Sequence, residues 1–239
     1  MRHAGIIIAG LFVLTAMLAL ISFATQADGV LFREEFKNLV NWKPLYFPKI
    51  KRHTVYTIVP GDGKDILKAQ SDASASGIVY KSSFNVYKYP HIRWRWKAEN
   101  VYKKGDGGTS KAGDDYPIRV YVIFKYDPAK AGIGERVKYN VLKFIYGEYP
   151  PKSSLNYVWA NRDSSRKVFS SPYTDRSKMI VKSGPSDVGK WETEEAHLLN
   201  DYRAAFGVEP TAEASLAIMD DSDNTGERSI SYMDFIEVY

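Results

Sequence analysis

Cysteine is absent from the 239 residues, which excludes disulfides, thiolate nucleophiles and cysteine-containing zinc sites, so stability rests on core packing and hydrogen bonds. Histidine is scarce at four, and His53, His91 and His197 have no paired spacing that suits a metal or a nucleophile–histidine mechanism. No serine sits in a glycine-flanked elbow. Blocks of like charge are also missing. Lys+Arg 33 and Asp+Glu 28 are scattered, the formal net charge is only +5, and no nucleic-acid motif occurs, so nucleic acid is not an expected partner. Two near-motifs fail on chemistry. Gly184–Lys190 has phosphate-loop spacing, but Trp191 stands where a hydroxyl must hold magnesium, Pro185 has no N–H and Asp187 repels phosphate. Ser164 and Lys167 have serine–lysine spacing without its companion motifs.

What the chain does have begins at its start. Arg2 precedes an uncharged apolar run from Ala4 to Phe23, followed by the small residues Ala24-Thr25-Gln26-Ala27. This layout predicts a signal peptide over 1–27, cleaved after Ala24 or Ala27, with a retained N-terminal anchor as the alternative. Either outcome puts residues 28–239 outside the cytoplasm, in the periplasm or otherwise exported. Membrane contact is then expected only through the N-terminal segment, if it stays uncleaved.

Strand signals dominate residues 28–239, which are expected to form one domain. Ile92, Trp94 and Trp96 alternate with Arg93, Arg95 and Lys97, and Ile118, Val120, Val122 and Phe124 alternate with Arg119, Tyr121 and Lys125. Further strands are predicted at 30–36, 54–59, 65–70, 155–160, 178–182, 214–219 and 229–239, bounded by Gly, Pro, Asn, Asp and Ser. Aromatic residues reach 14%, which favours sheet. The pattern predicts an all-β, jelly-roll-like sandwich with one or two helical insertions. One helix is predicted at Ile133–Tyr146, where Ile133, Val137, Val141, Phe144 and Ile145 form an apolar stripe beside Glu135, Arg136, Lys138 and Lys143. That stripe is expected to cover a sheet edge or the core, a membrane surface being the alternative. A short second helix is predicted from Asp201 to Phe206, with Asn200 as N-cap and Gly207 as its stop.

Carboxylates carry the remaining chemistry. Asp114 and Asp115 precede a strand, and Asp220-Asp221-Ser222-Asp223-Asn224-Thr225-Gly226-Glu227 joins the last two strands. The second cluster reads either as a polar hairpin loop, as a calcium site through Asp221 and Asp223, or as catalytic carboxylates. Closely spaced oxygens on a glycine-containing loop suit calcium, although Thr225 and Tyr232 break the EF-hand pattern. Trp94 and Trp96 are expected in the core. Trp159, flanked by Asn156, Tyr157 and Asn161, is the candidate ligand-binding aromatic, because amides beside an aromatic combine polar contacts with stacking.

Six motifs in order, Ser74–Gly77, Arg93–Trp96, Gly113–Pro117, Asn156–Asn161, Pro172–Arg176 and Asp223–Glu227, resemble domain-of-unknown-function family 3047. The resemblance implies an exported bacterial protein and brings no reaction with it. The opening strand at 31–36 and the closing strand at 232–238 look like the ends of jelly-roll carbohydrate-binding domains. That likeness implies paired end strands and a structural calcium at Glu34 or Glu35 and Asp234. The expected function is recognition of a glycan or another envelope component. The alternatives are a glycan-active enzyme using Asp114, Asp115 and Asp175 beside Arg176, and a non-catalytic envelope assembly factor.

Overall fold

The computed structural model describes residues 29–105, 108, 110–146, 149–163 and 167–239. The leader over 1–27 and Ser164 of the serine–lysine spacing lie outside the described residues. Among the described residues no helix is long and apolar enough to cross a membrane.

The strands are β1 Phe32–Glu34, β2 Trp42–Leu45, β3 Val55–Pro60, β4 Asp65–Asp72, β5 Ala75–Tyr80, β6 Phe84–Asn85, β7 His91–Ala98 and β8 Tyr116–Phe124. They continue with β9 Ser153–Trp159, β10 Val168–Ser171, β11 Thr174–Ser183, β12 Glu192–His197, β13 Glu213–Asp221 and β14 Arg228–Val238. Helix α1 spans Ile133–Tyr146 and α2 spans Leu198–Phe206. A smaller sheet has the order β12-β7-β14-β4-β3, with β1 pairing the end of β14. The larger sheet runs β10-β11-β9-β8-β13-β5-β2, with β6 pairing the start of β13. Among the described residues only the β11–β9 pair is parallel. Packed face to face, the sheets form the expected jelly-roll-like sandwich. The end strands do pair, Phe32 opposite Val238 and Glu34 opposite Ile236.

Alternation explains the core. Ile92, Trp94, Trp96 and Ala98 from one sheet meet Ile118, Val120, Val122, Phe124, Leu155, Tyr157 and Trp159 from the other. The Trp96 and Trp159 rings meet at 5.8 Å and 60°, an edge-on packing that aromatic pairs favour. On the outer face of the smaller sheet, Arg33 and Arg93 pair with Glu237, and Lys64 and Arg95 with Asp234.

The loop between β13 and β14 is not a hairpin. β13 pairs with β5 and β8 in the larger sheet, whereas β14 pairs with β4 and β7 in the smaller one, so 222–227 arches across the sandwich. The short β4–β5 connection arches beside it, held by Ser222 N–H to Ser74 O (2.8 Å) and Ala73 N–H to Glu227 O (2.9 Å). Beneath these arches a polar network replaces apolar core. Asp220, inward-facing on β13, accepts from Tyr102 OH (3.1 Å) and Ser229 Oγ (2.7 Å), and Ser71 Oγ contacts both hydroxyls.

Helix α2 starts three residues before its predicted beginning. His197 caps it through Nδ1, which accepts from Asn200 N–H at 3.4 Å, and Gly207 stops it at φ 71°, a backbone state that costs glycine little. Helix α1 forms as predicted but turns the other way. Tyr139 docks it, stacked on Tyr126 at 3.7 Å and 8°, while Ile133, Val137, Val141 and Phe144 face outward. The expectation that this stripe covers core or sheet edge is corrected.

Candidate functional site

The outer face of the larger sheet carries a cleft of about 530 Å³. Its floor follows from strand alternation: the residues between the core positions of β8, β11 and β13 point outward, bringing Tyr121, Met179 and Met219 side by side. Phe47, Pro48 and Ile50 from the β2–β3 loop form one wall, and Tyr173 from the β10–β11 turn and Thr174 at the start of β11 form another. A smaller cavity of about 190 Å³ extends the same surface over Tyr121 and Met219 towards Ile123 and Pro151.

One end of the cleft is charged. Arg119, buried on β8, donates from Nε to Asp221 Oδ1 (2.9 Å), pairs through NH2 with Asp221 Oδ2, and donates to Asp114 O (2.9 Å). The Asp114 carboxylate lies 3.8 Å from its NH1, and its guanidinium stacks 4.6 Å over the Tyr116 ring. Burial opposes the charge on Arg119, but Tyr121, Asp114, Tyr116 and Asp115 around it hold it protonated. Asp223 is half-buried at the cleft edge. Burial, then the Asp115 charge, pushes its carboxyl above the usual range. Tyr173 OH donates to Asn224 Oδ1 at 3.1 Å across this end, and Lys111 lies 5.2 Å over the Tyr173 ring.

Asp115 sits behind the cleft and organises the arch. It is buried, and its carboxylate accepts from Asn224 N–H (3.3 Å), Asn224 Nδ2 (2.9 Å) and Thr225 N–H (2.6 Å). Carboxylate oxygens of Asp115, Asp221 and Asp223 lie within 4.8 Å of one another, close enough to converge on one cation. Asp221 is already matched by Arg119, so an incoming ion must compete with a guanidinium.

Several expected site residues are elsewhere. Trp159 is fully buried between the sheets, which corrects its assignment as a ligand-binding aromatic: it shares its strand phase with Leu155 and Tyr157, both core residues. Tyr157 is also core, its OH donating to Asp201 Oδ2 at 2.9 Å. Asn156 donates to Ser177 Oγ (2.6 Å), and Asn161 braces Tyr102 N–H (2.9 Å) and Asp115 O (2.5 Å), so both amides are structural. Asp175 and Arg176 line a separate cleft of about 530 Å³ between the helices, with Tyr139, Lys152 and Tyr202. Asp114 and Asp175 therefore do not share a site.

The expected second calcium site is not assembled either. Glu34 accepts from Phe36 N–H (3.0 Å), Asn41 Nδ2 (3.3 Å) and Trp42 Nε1 (3.3 Å), Glu35 pairs with Arg33, and Asp234 is held by Lys64 and Arg95. Sequence reasoning missed Phe47, Arg119, Tyr121, Tyr173, Met179 and Met219 as cleft residues. The signal for Arg119 and Tyr121 was present, since they occupy the non-core phase of β8.

Fold and site define a class: a jelly-roll-like β-sandwich with an aromatic and acidic cleft on the exposed face of its larger sheet. The chain belongs to the family described as protein of unknown function (DUF3047), whose model matches residues 40–237 and so spans the whole cleft. Among curated proteins none matches in sequence. Solved structures with similar architecture include the family 30 carbohydrate-binding module of a cellulosomal cellulase of Clostridium thermocellum, at 11% identity and TM-score 0.39, covering 82% of this chain and 92% of that one. A cellulase derived from that of Rhodothermus marinus is similar at 12% identity and TM-score 0.40, covering 79% and 88%. The xyloglucanase domain of a type three effector from Sinorhizobium fredii is similar at 9% identity and TM-score 0.39, covering 83% and 92%. The ligands and activities in these names belong to those proteins.

Proposed function

We propose that this protein binds a glycan outside the cytoplasm, in the cleft between Phe47, Tyr121 and Tyr173. The observation that carries this reading is the composition of the cleft: aromatic and apolar floor and walls end at a cluster of carboxylates, a guanidinium and an amide. Sugar rings have the matching chemistry, with apolar C–H faces that pack on aromatic rings and hydroxyls that need fixed donors and acceptors. The partner is an envelope glycan or another envelope component of that amphipathic kind. Screening the protein on a glycan array, followed by calorimetric titration of the hits, tests this. Tyr173→Ala and Tyr121→Ala are expected to weaken binding by at least tenfold each with little change in melting temperature. Hits whose affinity is untouched by both substitutions refute the cleft as the site.

One observation favours a glycan-active enzyme as the second reading. Asp223, biased towards its protonated form, stands beside Asp221, which is paired with Arg119, and unlike environments for neighbouring carboxyls are what acid–base chemistry uses. A product assay on bound glycans decides it: turnover lost in Asp223→Asn with binding retained makes this an enzyme. Calcium enters the proposal only at the Asp115–Asp221–Asp223 group.

A further inference from the structure

Helix α1 exposes a hydrophobic stripe on a protein whose other large apolar side chains are mostly inside. Ile133, Val137, Val141 and Phe144 are 83%, 59%, 54% and 91% exposed. At 3.6 residues per turn they fall within an arc of about 80°, and Tyr139, which docks the helix, lies nearly opposite. The stripe thus points squarely away from the domain.

Charge decides what covers it. Arg136 and Lys143 border the stripe on one side and Lys138 on the other, and all three are exposed. Arg136 Nε reaches back to Ala131 O (2.8 Å) and Lys143 lies 4.6 Å over the Tyr149 ring, so both cations are held beside the helix rather than extended from it. The one acid of the helix, Glu135, faces the domain and pairs with Lys152. A second copy of the chain seated on this stripe would bring cations against cations, whereas a negatively charged lipid surface matches both the apolar stripe and its cationic borders. At 14 residues the helix is too short to cross a bilayer and suits one lying in its surface.

We propose that α1 is a membrane-docking element that lays Ile133, Val137, Val141 and Phe144 into the surface of an anionic bilayer. This contact is separate from any made by the N-terminal segment. The cleft is independent of it, because β8 runs from the acidic arch to the α1 end of the sandwich.

The absence of cysteine makes the test direct. The full chain, carrying Phe144→Cys labelled with an environment-sensitive fluorophore, is mixed with vesicles of phosphatidylcholine alone or with one-third phosphatidylglycerol. A second preparation is labelled at Lys190→Cys, next to Gly189, whose N–H bonds Ala98 O at the arch end. The position-144 label is expected to shift to the blue and be quenched by lipids brominated near the headgroup, in anionic vesicles only, while the position-190 label is unchanged. Replacing Arg136, Lys138 and Lys143 together by Gln should weaken the apparent partitioning of the position-144 label on the order of 100-fold, at about a factor of five per cation. A label at 144 that stays in water although the chain sediments with vesicles overturns the proposal and leaves attachment to the N-terminal segment. A label already shielded without vesicles, or a response equal in neutral vesicles, overturns it as well, the former pointing to a second copy or the leader as the occupant.

Discussion

Replacing Asp220 by Asn is expected to remove a large pH dependence of stability. Asp220 lies in the interior beneath the arches, among Tyr102, Ser229 and Ser231, and burial pushes its carboxyl from the ordinary 3.8 up to about 7 despite hydrogen bonds from Ser229, Ser71, Tyr102 and Ser231. Between these values the folded protein holds a proton that the unfolded chain has released. Stability from this group is therefore fully present below about pH 4, falls as the pH rises towards 7, and is constant above it. A displacement of roughly three units at 1.36 kcal/mol each makes the loss about 4 kcal/mol. Asn has the shape of the protonated acid, and the surrounding hydroxyls can reorient to donate to its oxygen and accept from its amide. Urea unfolding from pH 4.5 to 8 should show the variant gaining on the wild type up to about pH 7 and holding a lead of several kcal/mol from there to pH 8. Parallel curves for the two proteins, or a variant less stable at pH 8, would mean that the hydroxyls hold Asp220 ionised and refute the reasoning.

Other outcomes follow from the same contacts. Trp159→Ala should cost about 3–5 kcal/mol in stability, as loss of a core aromatic does, and leave the glycan affinity of the folded fraction unchanged; weaker binding without destabilisation would return Trp159 to a ligand surface. Arg119→Ala should cost about 3–5 kcal/mol by stranding Asp221 beside Asp114, with Arg119→Lys recovering only part because it cannot make the forked contact; a neutral Arg119→Ala in unfolding assays contradicts the pairing. Millimolar calcium should raise the melting temperature by no more than about 2–4 °C, the shift for roughly 1 kcal/mol, because Arg119 competes for Asp221; the shift should vanish with chelator and in Asp223→Ala, and identical curves throughout remove calcium from the site. Mass spectrometry of the protein isolated from its host is expected to find a mature start at Thr25 or Asp28, and an intact Met1 would establish the anchor instead.

The sequence by itself determined the sandwich, because local alternation is enough: Ile92, Trp94 and Trp96, and Ile118 to Phe124, name their buried face without reference to any partner strand. It also located α1, the two end strands and the arch carboxylates, but not β2, β5, β6, β10 or β12. β5, Ala75–Tyr80, opens Ala-Ser-Gly, and β12, Glu192–His197, holds three glutamates, so neither carries the apolar alternation that marks a strand; they are strands because β13 and β7 hydrogen-bond them. Tertiary structure alone decided which polar residues share a site. Asp114 and Asp221 are 107 positions apart and meet because β8 and β13 are neighbours, whereas Asp175, only two residues from the cleft residue Tyr173, faces another cleft. It also decided the fate of the aromatics. An aromatic between two amides reads the same whether it faces a ligand or a facing sheet, and Trp159 faces Trp96. The apolar stripe of α1 is the same ambiguity with the opposite outcome, since periodicity shows that a helix has a hydrophobic face while only packing shows whether the protein itself covers it.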